Sequence, residues 1–283
     1  VVCGGGPSGS AAALSARREG LKTLLVEGMG QLGGMAVTGL VSHWLGGRTQ
    51  EGKWVVGGLF KSLAEEATAK GYALLPALKD GEKYHPYAWY NWFIHGVPLD
   101  PFKIDLFLDE KMEEAGVDVF LHTQLTDVIV SNNVITHLIL QNRSGLFAVS
   151  AKTVIDATGN ADVAAFSGCE TMKGREEDGK MTVSSLIFHV YNVDQEELTK
   201  AIEKNNDPKF RDLIISLKEK GIWDFPGDIF ICSKLVEETE FFINTNRLIG
   251  VDGTDGFSIS EGMKRGRKDV HRLMDILKEY FPG

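Results

Sequence analysis

An α/β fold organised around a doubly wound, mostly parallel sheet is what this 283-residue sequence predicts, on three observations. The chain opens on a strand end, a glycine turn and a helix start, Val1-Val2-Cys3-Gly4-Gly5-Gly6-Pro7-Ser8-Gly9. A helix-forming run from Ser10 to Glu19 then leads through Gly20 to a second apolar strand, Thr23 to Val26, which closes a β-α-β unit. Far along the chain, Thr153-Val154-Ile155 reads as a strand returning to the same sheet and ending in the small-residue turn Ala157-Thr158-Gly159.

Each residue of the opening turn has a physical job. Gly4, Gly6 and Gly9 carry the spacing G-x-G-x-x-G, which suits a tight turn, close approach of a pyrophosphate and close packing of helix on strand. Pro7 and Ser8 fall in the first turn of the helix, where unpaired N–H groups and the helix dipole favour an anion. Glu27 ends the second strand, 18 residues after Gly9, where a carboxylate accepts hydrogen bonds from an adenosine ribose; Gly28 follows it. Up to this point NAD and FAD are served equally well.

Gln31-Leu32-Gly33-Gly34-Met35-Ala36 separates them. The stretch resembles the segment after the ribose acid in FAD-dependent oxidoreductases of the glutathione-reductase type. Gly4 to Leu40 is similar, more narrowly, to FAD-dependent oxidoreductases related to fumarate-reductase flavoproteins. The resemblance implies that Gly33, Gly34 and Met35 run against the cofactor between adenosine and flavin, with Ala36 and Thr38 towards the flavin. It implies further that the backbone near Leu125 passes the adenine, and that Ala157, Thr158 and Gly159 close over the pyrophosphate and adenosine. Gly174-Arg175-Glu176-Glu177-Asp178-Gly179 matches a G-R-E-x-D-G stretch of the same family. Its members continue past a Pro-Gly like Pro282-Gly283, so the resemblance implies a chain trimmed at both ends.

Between these landmarks the elements follow in order. His43, in Val41 to Gly47, is the candidate proton donor or acceptor beside the flavin. Gly57 to Lys70 predicts an amphipathic helix with Leu59, Phe60, Leu63 and Ala67 on one side. Tyr72 to Pro98 lacks periodicity and is crowded with aromatics (Tyr84, Tyr87, Trp89, Tyr90, Trp92 and Phe93), which suits a cover for the substrate or a contact between copies in a homo-oligomer. Asp100-Pro101 starts a helix running to Ala115, stopped by Gly116. A strand from Val117 to Leu121 and a β-meander follow, its strands at Asp127–Val130, Val134–Gln141 and Leu146–Ser150 and its turns at Asn132-Asn133 and Ser144-Gly145. Asp162 is the expected cap of the next helix.

Beyond Gly168 an α+β substrate domain is expected. Its strands are Thr182–Val193, Asp228–Ser233 and Thr239–Asn244, in a mixed sheet. One helix is capped by Asp194 with Glu197, and another spans Lys209–Lys220. Arg175 and Arg247 are candidates to hold an anionic substrate, since a guanidinium matches a carboxylate in two bonds. Ser258 with Glu261 reads as a capping box for a last helix, whose stripe is Ile259, Met263, Val270, Met274 and Leu277. The predicted division is an FAD-binding domain over 1–168, including the 72–98 loop and a meander within 118–150. A substrate domain covers 169–257, and a helix over 258–283 packs back on the first domain.

A net charge of −9 argues against nucleic acid as the main partner, and Lys264, Arg265, Arg267, Lys268 and Arg272 read as a solvated helix face. Cys3, Cys169 and Cys232 show neither a disulfide framework nor zinc spacing, and no metal site is expected. No apolar run reaches the length of a membrane span, and a cytoplasmic location is expected. The expected protein is a flavin-dependent oxidoreductase, with FAD as cofactor, moving hydride between flavin N5 and a small-molecule substrate. Two readings stay open beside it: an NAD-binding enzyme of the thiazole-synthase type, and a flavoprotein that partners RNA.

Overall fold

The structure is a computed structural model and describes residues 1–77 and 95–283. In chain order its elements begin with β1 (Val2–Cys3), α1 (Pro7–Arg18), β2 (Leu24–Val26), β3 (His43–Trp44), α2 (Gly58–Ala69), β4 (Val97–Pro98) and α3 (Pro101–Ala115). There follow β5 (Asp118–Phe120), β6 (Gln124–Ser131), β7 (Val134–Asn142), β8 (Gly145–Ser150), β9 (Ile155–Asp156) and α4 (Asp162–Phe166). The remainder is β10 (Phe188–Val190), α5 (Gln195–Asn205), α6 (Arg211–Glu219), β11 (Cys232–Lys234), β12 (Phe241–Ile243) and α7 (Gly256–Tyr280). The aromatics from Tyr84 to Phe93 lie outside the described residues.

The chain forms two compact units, each assembled from three stretches. One contains Val1–Gly39, Gly58–Tyr72 and Asp100–Met172; the other contains Leu40–Gly57, Ala73–Leu99 and Lys173–Gly283. The antiparallel pair β3–β4 ties the first two stretches of the second unit together, and the bridge between Ala73 and Leu99 joins the ends of the second stretch.

The first unit is built on a four-stranded sheet in the order β5-β2-β1-β9, with every neighbouring pair parallel. Strands shielded on both faces read as continuous apolar runs, and Val2, Cys3, Leu25 and Val26 are all buried. The meander β6-β7-β8 turns at Asn132 and Asn133, which both adopt left-handed φ (51° and 59°), as a two-residue hairpin of the primed type requires. Its inner face joins the sheet in one core of Cys3, Val26, Val128, Leu138, Leu140 and Val163. Helix α3 is capped as its sequence predicts: the Asp100 carboxylate accepts from the N–H groups of Phe102 and Lys103, Pro101 opens the first turn, and Gly116 closes the helix. The cap of α4 is a correction. Asp162 lies inside the helix, and the capping bonds come from upstream: Thr158 Oγ1 accepts from Asp162 N–H and Asp156 Oδ2 from Ala164 N–H.

In the second unit the three-stranded sheet β10-β12-β11 is antiparallel throughout rather than mixed. The strand expected over Thr182–Val193 shrinks to Phe188–Val190, because the Asn246 side chain accepts from Leu186 N–H at 2.9 Å and Ser184 makes one isolated bridge to Leu248. Helix α5 has the expected cap, with Asp194 accepting from Glu197 N–H. Helix α7 begins earlier than expected. Asp255 accepts from Phe257 N–H, whereas the Ser258 hydroxyl accepts from Asp252 N–H in the preceding loop. Its buried line is Gly262, Gly266, Leu273 and Ile276, while Ile259 and Met263 are exposed. Two glycines close to Val251 and to Leu248 and Leu186 form half of that inner face, and a search for large apolar residues passes over them. Leu273 and Ile276 join Phe210, Ile214, Trp223 and Phe241 in the core of the second unit, to which α7 belongs.

Candidate functional site

The carboxyl ends of β1, β2 and β9 carry the candidate site. After Cys3 the chain turns at Gly4 with φ +101°, and a Cβ there would stand 2.3 Å from the Ala157 carbonyl oxygen. A Cβ on Gly9 would stand 1.7 Å from the Gly4 carbonyl oxygen, so this glycine lets α1 sit on the turn. Gly6 is different. Its backbone is extended (φ −66°, ψ −177°), and the nearest atom to an added Cβ is Gly34 Cα at 3.8 Å. Neither its conformation nor packing among the described residues demands a glycine there. Gly6 is the N-cap of α1, and without a side chain there the backbone at the helix mouth stays bare, a cradle suited to a ligand.

Helix α1 suits an anion in that cradle. Its N-cap, Gly6, makes no side-chain capping bond, its first turn holds no acidic residue, and its last turn carries Arg17 and Arg18. Pro7 and Ser8 open the helix and are exposed at its end. Cys3, immediately before the turn, is buried; burial pushes its thiol up to about 11, which fits a packing role.

Gly5 joins the parts of the site. Its N–H donates to Glu27 Oε2 at 2.6 Å, and its carbonyl accepts from Gly33 N–H at 2.9 Å and from the Ser10 hydroxyl at 3.1 Å. The second Glu27 oxygen accepts from Met29 N–H at 2.7 Å. Glu27 is thus oriented from both sides while its oxygens keep further acceptor capacity. Gly34 backs onto the turn, 2.8 Å from Gly6 Cα by an added Cβ, and begins a 3₁₀ turn through Met35 to Ala36. Met35 is 65% exposed and Ala36 buried. Gly28 lies against the Gln124 side chain, and Leu125 pairs with Leu140 in the meander.

The β9 end is fixed by its own network. Asp156 Oδ1 accepts from both the N–H and the hydroxyl of Thr158. Burial works to raise the Asp156 carboxyl, but these bonds, with backbone bonds from the start of α4, outweigh it and hold the group below the usual carboxylate range. The Thr158 hydroxyl is therefore engaged within the turn, as are the Thr158 N–H and the Ala157 N–H, which donates to the Cys3 carbonyl at 2.8 Å. The structure brings together, within the first unit, every position predicted to contact the cofactor.

The remaining predicted residues lie in the second unit. His43 is buried, its Nε2 3.3 Å from Ser233 Oγ and its ring centroid 4.9 Å from that of Phe242. Burial first, then the nearby His189, lower its pKa to about 3; a backbone bond at Lys234 opposes them, and His95 adds a lesser lowering. A neutral imidazole is what this position holds at ordinary pH. Arg175 makes two parallel bonds to Asp178 on the surface, at 2.9 and 2.5 Å. Arg247 donates to backbone carbonyls, most closely that of Asn246 at 3.0 Å. Two features escape a reading of the sequence: the Asp156–Thr158 network, and a buried pair of His189 Nδ1 with Glu240 Oε1 at 2.9 Å. The latter joins residues 51 apart with no motif to announce it.

Comparison with known proteins places the fold and the family. The digeranylgeranylglycerophospholipid reductase of Thermoplasma volcanium is 25% identical over 281 residues, covering 94% of this chain and 63% of that protein. The reductase of the same name from Thermoplasma acidophilum is 26% identical over 239 residues, covering 80% of this chain and 52% of that protein. The chain thus spans less than two thirds of these relatives' length. Among solved structures, a geranylgeranyl bacteriochlorophyll reductase-like protein from Thermoplasma acidophilum superposes with a TM-score of 0.52 at 19% identity, over 93% of this chain and 59% of that one. The myxobacterial chondrochloren halogenase CndH, described as a variant of FAD-dependent halogenases, gives 0.50 at 17% identity, over 99% and 58%. These likenesses concern the fold. The family model for FAD dependent oxidoreductases matches residues 1–283. With the parallel sheet, glycine turn and oriented acid all in the first unit, this chain belongs to the FAD-dependent oxidoreductase family.

Proposed function

We propose that the chain binds FAD at the strand ends of its first unit and catalyses hydride transfer between flavin N5 and a small organic substrate. The observation that carries the reading is Gly6: a glycine that packing among the described residues leaves unexplained, at the mouth of a helix with no side-chain cap. The first-turn N–H groups beside Ser8 and Gly9 would donate to pyrophosphate oxygens, and Glu27, oriented by Gly5 and Met29, would accept from ribose hydroxyls. Gly33, Gly34 and Met35 would line the stretch between adenosine and flavin. Bound flavin supplies the two-electron chemistry, and the protein supplies orientation. Gln31 to Ala36 favours the glutathione-reductase type of site, as in relatives of fumarate-reductase flavoproteins. The curated relatives carry the name reductase, which supports a reaction in which the substrate is reduced.

Purified protein should carry flavin absorption and release FAD, identified by mass, on denaturation. A colourless protein that releases NAD would overturn the reading in favour of a nicotinamide enzyme.

A further inference from the structure

Asp105 is a half-buried carboxylate on α3, between the buried Ile104 and the exposed Leu106. Among the described residues its partners are two donors from the loop that follows Glu27, and neither is a cation. Its Oδ1 accepts from Leu32 N–H at 3.2 Å and its Oδ2 from Gln31 Nε2 at 3.1 Å. A carboxylate drawn out of water without a counter-ion is unfavourable unless donors of this kind offset the loss. The helix carries a second penalty, since like charges one turn apart destabilise it. Burial first, then the Asp105 charge, raise the carboxyl of Asp109 on the next turn. The stability of α3 therefore gives no reason for an acid at this position, and the loop does.

Those two bonds hold the approach to Gly33 and Gly34. Both glycines adopt left-handed φ, 98° and 51°, and glycine loses more backbone freedom on ordering than any other residue. On one side the pair is fastened to the phosphate turn, where Gly33 N–H donates to the Gly5 carbonyl at 2.9 Å and a Cβ on Gly34 would stand 2.8 Å from Gly6 Cα. On the other side it is fastened by Asp105, through the backbone of Leu32, a fully buried residue. Glu27 is oriented separately, by the N–H groups of Gly5 and Met29.

We infer that Asp105 is a positioning residue for the flavin half of the cofactor, setting the course of the Gly33–Met35 backbone along which that half would run. Both of its oxygens face the loop, so it acts through Leu32 and Gln31 rather than on the ligand. The adenosine half is held by a different set of bonds, at Glu27, and the two halves of the site can be weakened one at a time. The inference rests on the proposed FAD site and adds to it a residue that the ligand does not touch.

The test titrates the full chain with FAD, followed by flavin fluorescence, and with ADP, followed by calorimetry. Asp105→Ala should bind FAD about tenfold less tightly, the scale of one hydrogen bond to a charged group, and ADP within about twofold of the unaltered protein. Asp105→Asn should recover most of the FAD affinity, because its carbonyl still accepts from Leu32 N–H while the Gln31 amide turns to meet its NH2 group. Gln31→Ala removes one of the two bonds and should weaken FAD about threefold, and Gln31→Ala/Asp105→Ala should be no worse than Asp105→Ala alone. FAD affinity unchanged in Asp105→Ala, or in Gln31→Ala where Asp105→Ala does not fold, overturns the role of Asp105 while the FAD site stands. So does an equal loss of FAD and ADP, or an Asp105→Asn protein as weak as Asp105→Ala. Failure of the unaltered protein to bind FAD overturns the site, and this role with it.

Discussion

Gly6 and Gly9 belong to one motif but answer to different forces. An alanine methyl at Gly9 has the Gly4 carbonyl oxygen 1.7 Å away, and both partners are backbone, so relief requires α1 to move off the turn. Gly9→Ala should therefore cost on the order of 2–4 kcal/mol of stability, the range of severe overpacking. Gly6→Ala adds a methyl with nothing nearer than 3.8 Å in a backbone conformation open to any residue, and its cost to folding should stay within about 0.5 kcal/mol. Its effect should appear in FAD titration as a clear loss of affinity. Thermal melts and flavin fluorescence on the two variants separate the roles; a Gly6→Ala protein that binds FAD normally would show that no ligand uses the cradle. His43 makes a second prediction at this scale. Its pKa is about 3 in the folded chain against an ordinary value of 6.5, so the unfolded chain takes up the proton first as pH falls. The stabilising effect of a neutral His43 is complete above pH 6.5 and is lost progressively as pH falls from there towards 3. The slope is about 1.4 kcal/mol per pH unit at most. Urea midpoints from pH 7 to 4 should fall less steeply for His43→Gln; parallel slopes would mean the ring is protonated in the native state.

Among the elements, legibility followed the range of the forces involved. The helix Pro101–Ala115 was readable to the residue, because an Asp cap, a first-turn proline and a terminal glycine act within one turn of chain. The meander was equally plain, since period-two alternation and paired asparagines are local signals. Failures came where a distant partner decided the outcome. Thr182–Val193 has strand-like composition, but the Asn246 amide, 60 residues away, takes the Leu186 N–H that a ladder would use. Helix α7 starts at Gly256 rather than at Ser258 because the Ser258 hydroxyl is occupied by the Asp252 backbone. The candidate site divides in the same way. Gly4, Gly6, Gly9 and Glu27 form a pattern that spacing reveals, whereas the Asp156–Thr158 network gains meaning only from neighbours that the fold brings together.

At the scale of the whole molecule, each of the two units has a hydrophobic core among its described residues, and the proposed nucleotide contacts all belong to the first unit. Cys3, Val26, Leu138 and Leu140 stand behind the strand ends that bear Gly4, Glu27 and Ala157. Ile276 is buried in the other core, with Phe210, Ile214, Trp223 and Phe241. Truncation of a buried isoleucine removes its transfer energy and leaves a cavity, so Ile276→Ala should cost about 2–5 kcal/mol in the second unit. The near-UV signal of Trp223 should report that loss directly, since its ring lies 5.4 Å from Phe225 and 6.2 Å from Phe281 in the same core. ADP affinity should not change, because no residue that would touch adenosine or pyrophosphate belongs to that unit. The reciprocal variant, Leu138→Ala, should lower ADP affinity and leave the Trp223 signal unchanged under conditions where the first unit is only partly folded. Loss of ADP binding in Ile276→Ala, in parallel with the Trp223 signal, would show instead that the units fold as one cooperative body, with the nucleotide site depending on both cores.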